Sequence, residues 1–460
     1  MEIIAEFFKT AWGWFCTHLS EALLVNAIVA FVFWVFGFLG RKIVVFFRGL
    51  IVRSRNKETK KGYRDSIISF DTVSPYYDSN LATMYLTPKR FVFEIPEEKR
   101  KELAAQKTQN GRQKFAIHEP AKLDGNNHML CDFLSKYYAQ EFPNVEAIEK
   151  FLNKTISDTA DYFIDRLQKG KLAFNNRQIR IDRIEINRTD KEEGHGEEKQ
   201  ILDLALYETD YFTAQVMVHV YQHLCELDIK YRKKDANYES PFDHIDIIKL
   251  NTEMRPFMSS LGVGGYIIFD RGNTGHNLEY WTVKRSSNVR NGSNGSMDLR
   301  SYSFDETMDL KDRTEDIKDS NIFSAYVGAD RAIQEELGLF NKRDERVRGN
   351  VGNFHLTGLV LIRTQVEENA RFEMQLLGYT FVHFTDNFKY DDLVLKKKNA
   401  QDASYEAVEV YPCKLKEKLT GTVPGQYTHT PESVYYAEVL QNMEDMKYIR
   451  NAYLEEVGRL

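Results

Sequence analysis

The sequence is short of the residues that cross-link a chain or hold soft metals. Its 460 residues include four cysteines, Cys16, Cys131, Cys225 and Cys413, scattered with no metal-ligand spacing. Neither a disulfide framework nor a zinc site is indicated, and such sparse use suits a reducing compartment. An excess of positive charge is also missing. Lys and Arg number 62 against 68 Asp and Glu, giving a net charge of -6 and a pI near 6.1, which argues against a nucleic-acid polymer as the main partner. There is no Walker loop, no Rossmann fingerprint, no Ser-His-Asp signature and no repeat of solenoid period, so those classes are set aside.

Long uncharged apolar runs are scarce too, with one exception. From Ala22 to Gly40 the chain carries no charge and has about the length a helix needs to cross hydrocarbon. Trp34 and its bulky neighbours lie all round such a helix and leave no polar face, which predicts a single transmembrane helix over 21–40. A signal peptide fits less well, because no small-residue cleavage pattern follows. Arg41, Lys42, Arg48, Arg53, Arg55, Lys57, Lys60, Lys61 and Arg64 crowd the juxtamembrane segment 41–65, whereas Lys9 stands alone before the run. Positive charge stays inside, so the N-terminus is expected in the periplasm and the body in the cytoplasm of a bacterial inner-membrane protein. The same segment suits contact with anionic lipid headgroups. Residues 1–20 read as an amphipathic interfacial segment, a second span being disfavoured by Glu2, Glu6 and Lys9.

The body reads as α/β, beginning with a cytosolic α+β region over 66–255. Phe70 to Ile117 reads as an irregular linker broken by Pro and charge. Within 144–169, Val145, Ile148, Phe151, Leu152, Ile156, Phe163, Ile164 and Leu167 recur at helical spacing. Residues 178–186 and 202–206 read as strands, and 214–227 as a helix. His219 and His223 stand four apart in that helix and could share a metal. Apolar neighbours, and the lack of the Glu that follows the first His in zinc proteases, favour packing instead. Lys230-Tyr-Arg-Lys-Lys234 reads as a solvated basic loop, with phosphate contact as the minority alternative. Short β-rich runs follow at 265–269, 278–283, 358–363 and 372–382. Asp298 to Asp319 reads as a flexible charged loop. Residues 391–460 read as an extension with a strand at 405–411 and a helical stretch from Pro431 to Leu460, able to pack on the core or between subunits.

Inside 256–390 lies Ala329-Asp-Arg-Ala-Ile-Gln-Glu-Glu-Leu-Gly-Leu339. On a helix Arg331, Glu335 and Glu336 share one arc, Ile333 and Leu337 the other, and Gly338 supplies a left-handed stop. Two adjacent carboxylates at the end of a packed helix can hold a hard cation such as Mg²⁺; a solvated acidic face is the plain alternative. The stretch resembles the second half of a Nudix box, with Arg331, Ile333, Glu335, Glu336, Gly338 and Leu339 in register. The resemblance implies a Nudix-like α/β/α sandwich with a mixed sheet, Glu335 and Glu336 as catalytic and metal-binding candidates, and hydrolysis of nucleoside diphosphates linked to another group. Arg331, Lys284 and Arg285 are the nucleotide-binding candidates. The first half departs from the motif: Ala332 replaces a glutamate, Phe323 stands at the upstream glutamate position and Ile317 at the glycine, with Glu306 able to substitute across an insertion.

A single N-terminal span joined to a degenerate Nudix-like domain is similar to the transmembrane Nudix effectors of CBASS, the bacterial anti-phage systems that signal with cyclic oligonucleotides. That resemblance implies a cyclic nucleotide as ligand, inner-membrane lipids as target and homo-oligomer formation on activation. A membrane-tethered Mg²⁺-dependent Nudix hydrolase is the enzyme alternative, and a receptor or scaffold without a nucleotide is the third.

Overall fold

The computed structural model describes residues 67–69, 82–106, 114–122, 126–170, 174–188, 200–258, 260–285, 299–313, 321–339, 350–364, 371–400, 407–417, 419 and 428–458. All of them belong to one compact unit, Gly62–Leu460. The predicted segments 1–20, 21–40 and 41–65 lie outside the described residues, among which no helix is long and apolar enough to cross a membrane.

In chain order the elements are β1 (Ile67–Ser69), β2 (Ala82–Arg90), α1 (Glu97–Ala105), α2 (Asn126–Tyr137), α3 (Val145–Gln168), β3 (Arg177–Arg188), β4 (Gln200–Asp210), α4 (Tyr211–Lys234), α5 (Ile247–Asn251) and a short 3₁₀ turn, Arg255–Phe257. Then come β5 (Leu261–Phe269), β6 (Glu279–Arg285), β7 (Leu299–Ser301), β8 (Phe304–Thr307), β9 (Ile322–Phe323) and α6 (Ala325–Ala332), which continues as a π-helical turn, Ile333–Leu337. The chain closes with β10 (His355–Thr364), β11 (Arg371–Val382), α7 (Tyr390–Lys398), β12 (Ala407–Lys414), β13 (Thr428–His429), α8 (Pro431–Asp445) and α9 (Tyr448–Val457).

Both sheets are mixed. The larger runs β1-β10-β11-β5-β6-β7-β13, with β12 added to β6 and β8 to β5; β11 is parallel to β5 and β13 to β7, the other pairs being antiparallel. The smaller runs β3-β4-β2-β9, with β2 parallel to β4. Strand alternation divides the larger sheet's side chains between two cores. From β5, Leu261, Val263, Ile267 and Phe269 pack with Ala329, Ile333 and Leu337 of the α6 stretch, while Tyr266 and Ile268 pack with Tyr436 and Leu440 of α8 and Tyr453 of α9. Helices therefore cover both faces, which is why β5 reads as one continuous apolar run.

The α6-side core runs on without a break into the smaller sheet and into α3 and α4. Tyr221 of α4 lies edge-on to Phe372 of β11, their ring centroids 5.4 Å apart, and Phe257 lies 6.1 Å from the same ring. Residues on either side of 255 thus share one core. Helix caps follow the sequence: Asn144 accepts from the Ala147 amide at the start of α3, and Asp210 from the Thr213 amide at the start of α4.

Four expectations change. The stretch 70–117 is no linker, since it contains β2, an inner strand of the smaller sheet, and α1. Pro88 disguised the strand; it falls where the β2–β4 register shifts between Leu86 and Arg90, the kind of break that tolerates a residue without an amide hydrogen. The supposed loop 298–319 holds β7 and β8 and buries Tyr302, Phe304 and Met308 fully; its residues 314–320 lie outside the described ones. Lys230–Lys234 form the last turn of α4, where basic side chains complement the helix dipole. The C-terminal stretch has the expected strand, β12, and packs on the core, but its single expected helix is two, α8 and α9, broken at Lys447 with φ 64°.

Candidate functional site

The π turn of α6 carries both glutamates of the acidic pair. Ser324 caps α6 by accepting from the Tyr326 amide, and the turn stops at Gly338, whose φ is 67°. A Cβ at Gly338 would stand 2.7 Å from the Lys396 carbonyl oxygen, so both the backbone angle and the close approach of α7 select glycine. π turns of this kind occur often at functional sites because they re-aim side chains that an α-helix would stack.

The two carboxylates of the pair live differently. Glu336 is 3% exposed, and its Oε1 accepts from the Asp305 amide of β8 at 2.7 Å, which ties the π turn to the sheet. Glu335 is partly exposed, with Oε2 3.3 Å from Arg331 Nη1. Arg331 is the hub. Its Nε and Nη2 donate to the two oxygens of Asp312 at 2.8 and 3.0 Å, and Nη2 also donates to the Thr307 carbonyl at 2.7 Å. Burial alone would lower its pKa, but Asp312 with Glu306 and Asp309 outweighs that and raises it above the usual value, so the guanidinium is fixed as a cation.

Glu306, the acid expected to substitute for the missing upstream glutamate, reaches only 3.7 Å from Arg331 Nη1. Asp312 makes the two-pronged contact instead, and sequence reading missed it. The available signal was the turn Asp309-x-x-Asp312, in which the Asp309 amide donates to Asp312 Oδ2 at 2.9 Å. Both glutamate positions absent from the motif are core positions: Ala332 is 0% and Phe323 1% exposed. Ile317 lies outside the described residues.

Lys284 is not brought to this helix. It stands four residues from Tyr280 on β6 and so shares the face that α8 and α9 cover, whereas α6 covers the opposite face. Arg285 ends β6, paired with Ala407. His219 and His223 serve packing between α3 and α4. His219 Nδ1 is 2.7 Å from Thr159 Oγ1, and the His223 ring lies 4.9 Å from that of Phe151, burial lowering the pKa of His223.

Among the described residues no three Asp, Glu, His or Cys side chains converge as a metal-ligand set. The oxygen donors at the π turn still suit a hard divalent ion taking one or two carboxylates and filling its other positions with water or phosphate. Arg331 competes for Glu335. Compared with known protein families and with curated proteins, the chain matches none.

Proposed function

We propose that this chain is a membrane-anchored effector of a CBASS-type antiviral system, with a Nudix-like cytosolic body that senses a cyclic oligonucleotide and an N-terminal span that disrupts the inner membrane when several copies assemble. The observation that carries the reading is the geometry at the π turn. A Nudix-type helix, closed by Gly338 and braced by Arg331, rests on a mixed sheet with helices on both faces, while the two absent glutamates are replaced by the buried Ala332 and Phe323. A scaffold kept in this way, with part of its acid set turned into core, supports binding over turnover.

Mg²⁺, where bound, would be held by Glu335 and Glu336 and would neutralise ligand phosphates beside an otherwise acidic helix end. Arg331 holds the loop before the helix in place. The second reading, a membrane-tethered hydrolase of nucleoside diphosphate-linked compounds, is favoured by one observation, the partial exposure of Glu335.

The test measures thermal stability of the full chain in detergent with Mg²⁺ against cyclic oligonucleotides and nucleoside diphosphate-linked metabolites, with product analysis on the same samples. A midpoint raised by a cyclic oligonucleotide without turnover is the expected result. Turnover of a linked diphosphate that is lost in the Glu335→Gln, Glu336→Gln double variant would replace the sensor reading by the hydrolase. Silence in both arrays would sink both.

A further inference from the structure

Four strands of the larger sheet set one residue each into a single row. Register pairs Glu409 of β12 with Lys284 of β6, Lys284 with Arg300 of β7, and Arg300 with His429 of β13. Directly paired residues present their side chains on the same face, with neighbouring strands about 4.8 Å apart. Lys284, Arg300 and His429 therefore form a continuous line of nitrogen-bearing side chains about 10 Å long. The row lies on the face opposite α6, and Glu409 at its far end is its one carboxylate.

The details of the row are those of a recognition surface. Arg300 is 6% exposed, and its guanidinium carbon lies 3.4 Å from the centroid of the Tyr411 ring, so the planar cation is held in a fixed orientation. Beside it, both ring nitrogens of His429 are buried and neither has a hydrogen-bond partner. Buried polar groups are almost always paired, so a ring with both nitrogens unpaired marks a place where something polar belongs. Burial and the adjacent Arg300 charge push the His429 pKa down to about 4, so at neutral pH its ring offers one donor and one acceptor.

We propose that Lys284, Arg300 and His429 form a binding site for the phosphate of a nucleotide, on the sheet face opposite Glu335 and Glu336. Guanidinium and ammonium match the charge of a phosphate, and a planar fork matches its oxygens. A neutral imidazole completes the set by donating to a phosphate oxygen and accepting from a ligand hydroxyl. The inference deepens the nucleotide-sensing reading and rests on it for the nucleoside part; the phosphate part stands on the row alone. It also gives Lys284, which is far from the acidic pair in the topology, a place in ligand recognition.

The experiment uses the full chain in detergent and follows the unfolding midpoint with pyrophosphate, ATP and adenosine as probes. Pyrophosphate and ATP should raise the midpoint by a few degrees, and adenosine should not. His429→Phe removes both unpaired nitrogens while filling the same space. It should leave the ligand-free midpoint unchanged or higher and weaken ATP binding at least about tenfold. Lys284→Gln, at a half-buried position that tolerates change, should weaken binding and flatten its salt dependence. A wild-type midpoint unmoved by pyrophosphate and ATP, or a His429→Phe variant that binds ATP as the wild type does, overturns the site. Two results separate the two readings. ATP binding lost in the Glu335→Gln, Glu336→Gln variant but kept in His429→Phe leaves a nucleotide sensor and removes this site. A pyrophosphate response lost in His429→Phe, with no nucleotide bound more tightly than pyrophosphate, keeps the site and removes the nucleotide.

Discussion

Single buried acids give this protein opposite pH dependences in two places. Asp228 accepts from Tyr138 Oη at 2.9 Å, from Tyr238 Oη at 2.8 Å and from the Ser240 hydroxyl, yet burial outweighs these bonds and raises its pKa above the usual 3.8. A proton held more tightly in the folded state stabilises fully below the unfolded pKa, and that stabilisation is lost as pH rises through the folded value. Glu456 is the reverse case. Burial alone would raise its pKa, but hydrogen bonds from His355 at 2.8 Å and His383 at 3.2 Å overcome it and hold the carboxyl below 4.5. Its contribution is present above 4.5 and is lost as pH falls through the folded value. Urea midpoints between pH 4 and 7 should therefore rise more steeply with pH in Asp228→Asn than in the wild type, and less steeply in Glu456→Gln. Each change is bounded by about 1.4 kcal/mol per pH unit, the value for one proton. A shallower rise in Asp228→Asn would contradict its assignment, and a steeper rise in Glu456→Gln would contradict the other. At this scale the sequence was legible where a residue's role is local: Gly338 as a stop follows from spacing along one helix. Asp312 and the His355–Glu456–His383 contact were not legible, because their partners come together only through the sheet.

Elements were legible where one periodicity dominates. The strand expected at 178–186 is β3, and the helix expected over 144–169 is α3, capped at Asn144. The misses share a physical cause, a local signal overruled by burial. Pro88 hides β2, scattered acids hide β7 and β8, and Lys447 splits a stretch whose apolar spacing continues through the break. The parallel contact of β5 with β11 shows how tightly elements constrain residues. Gly265 pairs with Gly378, and a Cβ on Gly265 would lie 1.7 Å from the Gly378 carbonyl oxygen, a clash with backbone that no side-chain rotation relieves. Gly265→Ala should cost about 3 kcal/mol or more, because it pries apart the central strand pair. Its soluble yield should fall and its urea midpoint drop well below the wild type; a midpoint within about 0.5 kcal/mol of the wild type would show that the pair is not closed as described.

For the whole molecule, one core joins α3, α4, both sheets and α6, so the divisions expected at 255 and 390 mark changes of sequence texture and not breaks in packing. The proposed output lies elsewhere in the chain, in the uncharged run from Ala22 to Gly40. As the proposed span, a lone helix of bulky Phe and Trp would have no polar lumen, so permeabilisation would require several copies together. Gly37 and Gly40 are three residues apart and do not make a Gly-x-x-x-Gly pairing face, which leaves association to be driven by the body. Tethering raises the local concentration of the spans enough for weak helix contacts to form. Under the proposed function, expression of the full chain together with a cyclic oligonucleotide that raises its unfolding midpoint should depolarise the inner membrane, read with a potential-sensitive dye. Deleting residues 1–40 should abolish both depolarisation and growth arrest while leaving nucleotide binding by 41–460 intact. A truncated chain that arrests growth as strongly as the full one would place the damage in the body's own chemistry, and the pair Glu335 and Glu336 would become the first residues to substitute.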